Sequence, residues 1–61
     1  MKPYEVLIYV ENDDGSITAW GPEMIFAKDS DAAERVYLLR RAGAVEAHDP
    51  NDLEVVSRPF A

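Results

Sequence analysis

Between Tyr4 and Val10 the chain alternates as a strand does. Tyr4, Val6, Ile8 and Val10 form one set, and Glu5, Leu7, Tyr9 and Glu11 form the other. Successive strand side chains point to opposite faces, so the even set makes an unbroken core face. The β-branched and aromatic content predicts the same strand, and Pro3 stands at its start, where a missing N–H is tolerated. Asn12-Asp13-Asp14-Gly15 reads as a hairpin turn, because Asp-Gly supplies the positive φ angles that primed turns require. Ile17 to Ala27 is the predicted return strand, with Gly21-Pro22 marking a bulge, a bend or a break into two short strands. In it Ile25 and Ala27 take one face, Met24 and Phe26 take the other, and Trp20 adds a large aromatic near the bend.

A helix is expected next. Asp29, Ser30 and Asp31 are all competent N-caps, and Asp31 with Glu34 has capping-box spacing. Acids in the first turn and Arg40 and Arg41 in the last complement the helix dipole, and Gly43 is placed to end the helix in the left-handed conformation. Helical periodicity puts Ala32, Val36, Leu39 and Gly43 on one stripe with Ala33 beside it, Tyr37 at the margin, and Leu38 well off it next to Glu34 and Arg41. Ala44 to Ala47 is a candidate short strand. Asp49-Pro50-Asn51-Asp52 is a turn in which Pro presets φ and the Asp and Asn side chains bond back to the backbone. Leu53 to Arg58 forms the last strand, closed by Pro59. The expected fold is therefore α+β: a small antiparallel sheet of three or four strands with one helix on one face, in the order β-β-α-β or β-β-α-β-β, forming a single domain over residues 1–61.

The pattern carries a functional implication. The odd face of the first strand is not polar, since Leu7 and Tyr9 sit at its centre, yet a lone helix of about three turns covers only one face of a sheet. The other face is expected to hold Leu7, Tyr9, Met24, Phe26 and Trp20, with Leu38 extending the surface from the helix. Glu11, Asp13, Asp14 and Glu23 are expected to rim it, beside Glu5. Aromatic and Met side chains ringed by charge have the composition of interface cores. A second copy of the chain would cover such a face as well as a foreign partner would.

Composition sharpens this. The 61 residues are 48% hydrophobic and contain no cysteine, so neither a disulfide nor a thiolate metal site supports the core. At this length, burial and ordering entropy nearly cancel on a crude count, so a bound partner or an oligomer is a natural source of stability. No run of residues has the form of an export signal or a membrane span, which fits a cytoplasmic protein. Twelve acids against six bases give a net charge of −6. Between Pro3 and Ala27, and again from Glu46 to Glu54, every charged side chain is acidic. Direct nucleic-acid binding is not expected, because phosphate affinity comes from Lys and Arg displacing counterions. A basic partner surface is the natural complement.

Candidate chemistry is sparse, and no catalytic, cofactor-binding or metal residues are expected. His48 is the one histidine, and Ser16, Ser30 and Ser57 are accounted for by turn, cap and strand positions, leaving no nucleophile–base pair. His48, Asp49 and Asp52 are explained by the turn around Pro50 without a metal. Asn12-Asp13-Asp14-Gly15 fails as a calcium loop, because with Gly15 at the sixth position Val10 and Gly21 fall where acidic ligands belong. There is no phosphate-cradling glycine loop. The chain is expected not to be an enzyme.

Tyr4, Val6, Ile8, Glu11, Asp14, Gly15, Ala19, Pro22, Glu23 and Met24, followed by Asp29-Ser30 opening a helix, resemble the first half of HicB-like antitoxins. That family begins with a Tyr-x-Val-x-Ile strand, an acidic Asp-Gly hairpin and an Ala-x-x-Pro-Glu-Leu segment, and usually has Asp-Thr at the helix start. The resemblance covers about residues 4–30. It implies a partial RNase H-like sheet that neutralises a small basic toxin. The family's Pro-Gly-Cys segment has no counterpart in this sequence, nor does its C-terminal DNA-binding element, so the resemblance does not extend to autoregulation. The leading expectation is a non-catalytic module that inhibits or neutralises a basic, nucleic-acid-handling protein, as antitoxins and small phage-encoded inhibitors of the anti-CRISPR kind do. The other is a homodimeric structural or accessory domain that pairs through its apolar sheet face.

Overall fold

The computed structural model describes residues 1–60. Three strands, β1 (Lys2–Glu11), β2 (Ile17–Ala27) and β3 (Leu53–Pro59), form one antiparallel sheet in the order β2-β1-β3. The helix α1 (Ser30–Arg40) lies across one face, followed by the short helix α2 (Ala42–Glu46) and a 3-10 turn at Pro50–Asp52. The fold is α+β, with β1 central because it pairs with β2 through the hairpin and with β3 through the return of the chain. Ala44–Val45 belongs to α2, so the expected fourth strand is absent and the order is β-β-α-β. Alanine-rich and without a β-branched residue until Val45, the segment follows helix propensity.

The hairpin closes as the Asp-Gly step predicts. Gly15 has φ +85°, its N–H donates to Asn12 O at 2.9 Å, and the Asn12 N–H donates to Ser16 O at 2.8 Å. The bulge predicted at Gly21-Pro22 is also present. Tyr4 faces Ile25 and Val6 faces Glu23, but farther along Ile8 faces Trp20 and Tyr9 faces Ala19, so β2 carries one extra residue opposite Leu7. Gly21 makes this possible. It sits at φ +102°, and a Cβ there would lie 2.8 Å from Val6 O and 3.1 Å from the Tyr37 hydroxyl.

The core is Tyr4, Val6, Ile8 and Val10 from β1, Ile25 and Ala27 from β2, and Ala33 and Tyr37 from α1. The even face of β1 is thus the helix-covered face. The Asp29 carboxylate caps α1 by accepting from the Ala32 N–H at 2.8 Å. The buried stripe of the helix departs from expectation: Ala33 and Tyr37 are fully buried, Ala32 and Val36 only partly, and Leu39 is 76% exposed. The helix is rotated by about one residue step. Ala33 allows close approach to the sheet, and the Tyr37 ring then fills the space beneath the β2 bulge, which no aliphatic side chain of the expected stripe is long enough to reach. The Arg41 guanidinium carbon stands 5.6 Å from the centre of that ring. Arg41 itself forms the C-cap, and Gly43 lies inside α2 instead of ending α1 in a left-handed conformation.

The Gly21 geometry is testable by contrast with Gly15. Both have positive φ, but a Cβ at Gly15 meets nothing within 4 Å. Gly15→Ala is expected to cost about 1 kcal/mol of conformational strain. Gly21→Ala adds overlap with a backbone oxygen that has no room to move, and should cost about 2 kcal/mol or more. Tyr37→Phe, which removes a buried hydroxyl without a hydrogen-bond partner, should be close to neutral. Urea unfolding of the three variants measures all of these.

Candidate docking face and acidic end

The face of the sheet turned away from α1 is open, and its residues follow from the strand registers. In the middle, Leu7 of β1 faces Val56 of β3. Two residues to one side, Met24, Glu5 and Arg58 form a row, and two residues to the other Ala19, Tyr9 and Glu54 form the next. The outer rows are Phe26 beside Pro3, and Ile17 beside Glu11. Phe60 joins the first of these, donating its N–H to Pro3 O at 3.0 Å in continuation of the β1–β3 register. Phe26 is 60% exposed and Ile17 61%, while Met24, Phe60, Tyr9 and Val56 are between 36% and 45%. Four of the predicted docking residues, Leu7, Tyr9, Met24 and Phe26, are therefore brought together on one uncovered surface. Ile17, Val56 and Phe60 belong to it as well. Their signal was the strand alternation of β3 and the hairpin register, extended one step past each turn.

Two predicted docking residues lie on the opposite side. Trp20 faces Ile8 of the core face and packs, partly buried, against the core, with its ring 5.7 Å edge-on from His48. The bulge is the cause: the additional residue inverts the alternation of β2, so Trp20 and Met24, both even, point to opposite faces. Leu38 is partly buried against the core, the consequence of the rotated helix. Glu23 also leaves the expected rim, because plain alternation puts it on the covered side of β2 with Ile25 and Ala27 and no bulge intervenes. It faces Val6, and its Oε1 accepts from Arg40 Nη1 at 2.7 Å.

The remaining rim acids gather at one end of the molecule. Glu11 ends β1, Asp13 and Asp14 form the hairpin tip, Asp49 precedes the 3-10 turn, Asp52 ends it, and Glu54 is the second residue of β3. Glu11, Asp13, His48, Asp49 and Asp52 line an open hollow of about 460 Å³. Around the strand edge, a shallower hollow of about 140 Å³ lies among Tyr9, Glu11, Ile17, Asp52 and Glu54 on the sheet side. Neither segment 10–17 nor 42–57 contains Lys or Arg. Asp49 Oδ1 is held by the Asn51 N–H at 2.9 Å. The Ser16 hydroxyl at 2.6 Å, and then its N–H at 2.9 Å, donate to Asp14 Oδ1 and hold that carboxyl below its ordinary pKa. The lower charge density at the far end of the open face comes from Arg58, whose Nε donates to Glu5 Oε1 at 3.2 Å.

Among the described residues no three His, Cys, Asp or Glu side chains converge to hold a metal ion. No helix among them is long and apolar enough to cross a membrane. The chain matches no family model, no curated protein and no solved structure.

Adjacent residues of β2 test the two-sided description. Phe26→Thr, on the open face, should change the stability of a single copy, measured at high dilution, by no more than about 0.5–1 kcal/mol. Ile25→Ala, on the covered face at 2% exposure, should cost about 2–5 kcal/mol. Equal losses in chemical denaturation would contradict the open face. In the hairpin, Ser16→Ala removes the main donor to Asp14, so the Asp14 carboxyl resonance in NMR should titrate at higher pH than in the parent chain. The depressed carboxyl contributes stability above its unfolded pKa that is lost as pH falls through the folded value, and the variant, which keeps the Ser16 N–H bond, should lose only part of that acid-limb dependence.

Proposed function

We propose that the chain is a non-catalytic binding module that captures a basic, nucleic-acid-handling protein and neutralises or inhibits it, in the manner of an antitoxin or a small phage-encoded inhibitor. The observation that supports this most directly is the segregation of charge: the hollow at the hairpin end joins four carboxylates from two separate segments, with no Lys or Arg in either. Its chemistry suits a Lys or Arg side chain. The carboxylates neutralise the cation, and the wall supplied by Ala47 and His48 accepts the apolar stem. A concentrated negative end also speeds encounter with a positive surface and aligns it on approach. Proteins that handle nucleic acids carry such surfaces, because their own ligand is a polyanion. The acidic end would compete with that ligand. The likeness of residues 4–30 to HicB-like antitoxins supports the same class of partner.

The test is affinity capture from the producing cell, with the recovered proteins identified by mass spectrometry and recovery followed across a salt series. A basic nucleic-acid-binding protein should be recovered at low salt and lost progressively as screening shortens the Debye length. The triple variant Glu11→Gln, Asp13→Asn, Asp52→Asn keeps the Asp49 turn cap and should lose at least about tenfold in affinity, roughly 1.4 kcal/mol. Recovery of the same protein by this variant at unchanged affinity would overturn the reading.

A further inference from the structure

The open face has a symmetry of its own. On β3, Val56 is flanked two residues away by Glu54 on one side and by Arg58 on the other, all three on the uncovered surface. On β1, Leu7 occupies the same central row, and on β2 the two ends of the face are Ile17 and Phe26. A two-fold axis lying in the plane between two facing sheets, perpendicular to the strands and passing over Leu7 and Val56, reverses the order of rows while keeping each strand over its own counterpart. Arg58 of one copy then lies over Glu54 of the other, twice, and Phe26 lies over Ile17, twice. Met24 meets Ala19, and Leu7 and Val56 meet their own equivalents at the axis.

We infer that the open sheet face is closed by a second copy of this chain, as an isologous sheet-on-sheet dimer in which Arg58 of each copy pairs with Glu54 of the other. Charge selects this arrangement. The alternative two-fold, parallel to the strands, keeps every row at its own level and stacks Glu5 on Glu5 and Glu11 on Glu11, which like-charge repulsion disfavours. In the chosen arrangement the two acidic ends point in opposite directions, so the net charge of −6 on each copy is spread along the dimer instead of concentrated. The shallow hollow among Tyr9, Glu11, Ile17, Asp52 and Glu54 receives the partner copy's Arg58 side chain, and the bond to Glu5 engages only Nε of that guanidinium. Facing sheets pack about 10 Å apart and cross at about −30°, an offset that the long Arg58 side chain absorbs. The molecule measures 38 × 20 × 14 Å, and its three-stranded sheet, with strands about 4.8 Å apart, occupies only part of the broad side, which puts the interface at the small end of the range for specific pairs. The pairing goes beyond the capture reading and leaves Asp13, His48 and Asp49 of its site uncovered, while Glu11 and Asp52 stand between that hollow and the one that receives Arg58. A dimer would present two such hollows, one at each end.

The experiment is sedimentation equilibrium of the purified full chain across a dilution series, with circular dichroism to confirm folding. The parent chain should show twice its 6.8 kDa mass. Glu54→Arg and Arg58→Glu each place like charges opposite one another at both ends of the interface, and each should weaken self-association at least about tenfold. Mixed, the two variants are mutually complementary, since one presents two arginines and the other two glutamates, and they should form a heterodimer. A monomeric parent chain, a dimer indifferent to both reversals, or a mixture that fails to associate would each overturn the proposal. Glu11 and Asp52 line both hollows, so capture of a basic protein is tested separately by Asp13→Asn alone, a residue that lines only the hollow at His48 and Asp49.

Discussion

Leu7 and Tyr9 stand on the central strand and point away from the one helix long enough to cover a sheet. That constraint shapes the rest of the molecule. β1 is hydrogen-bonded on both edges and apolar on both faces, as strands buried on both sides are. The helix satisfies the even face, where Tyr4, Val6, Ile8 and Val10 meet Ala33 and Tyr37. After α1, the chain has enough length for α2, a turn and β3, and β3 widens the sheet without covering it. The addition of Val56 and Phe60 enlarges the uncovered surface. A core of eight buried residues is small for a chain with no disulfide, which makes closure of the second face a matter of stability as well as recognition.

The elements were legible in the sequence because their signals are local. Asp-Gly requires a tight hairpin, Asp29 opens a helix, Pro50 makes a turn and the alternation of Tyr4 to Val10 makes a strand. The two errors of face have a common origin in packing over distance. A bulge is one of the alternatives expected at Gly21-Pro22, but its consequence, an inverted alternation that carries Trp20 to the helix side while Met24 stays on the open side, depends on which residue of β1 it stands opposite. That is fixed by register with Leu7, not by composition. The helix rotation follows from the same place. The bulge leaves a space under Gly21 that Tyr37 fills, and α1 turns to put it there, drawing Leu38 inward and leaving Leu39 in solvent. Periodicity alone favoured the aliphatic stripe, because it weighs each residue by hydrophobicity and not by the shape of the gap it has to fill.

Charge is arranged by the same topology. The hairpin and the β3 turn are both loops, rich in Asp and Asn because those residues bond to their own backbone. The antiparallel order brings both loops to one end, where Asp13, Asp14, Asp49 and Asp52 meet. Turn chemistry explains Asp14 and Asp49, which accept from Ser16 and Asn51. It does not account for Glu11, Asp13 and Asp52, which make no side-chain hydrogen bond among the described residues. Their cost is mutual repulsion, which an end binding a cation relieves.

The apolar face and the acidic end therefore do different work, and the structure keeps them apart. Hydrophobic association is non-directional and scales with area, so Leu7, Tyr9, Met24, Phe26 and Val56 supply adhesion without fixing how two surfaces meet. Orientation comes from the few charges among them. With Glu54 and Arg58 equally distant from Val56, a second copy fits in one sense and not the other. A foreign surface would need its own acid and base at matching positions to fit the same rows. The hollow at the hairpin end has no such internal complement, since its lining holds four carboxylates and no Lys or Arg. In the proposed dimer the complement of the sheet lies within the chain's own sequence, whereas the proposed capture at the acidic end calls for a cationic surface on another molecule.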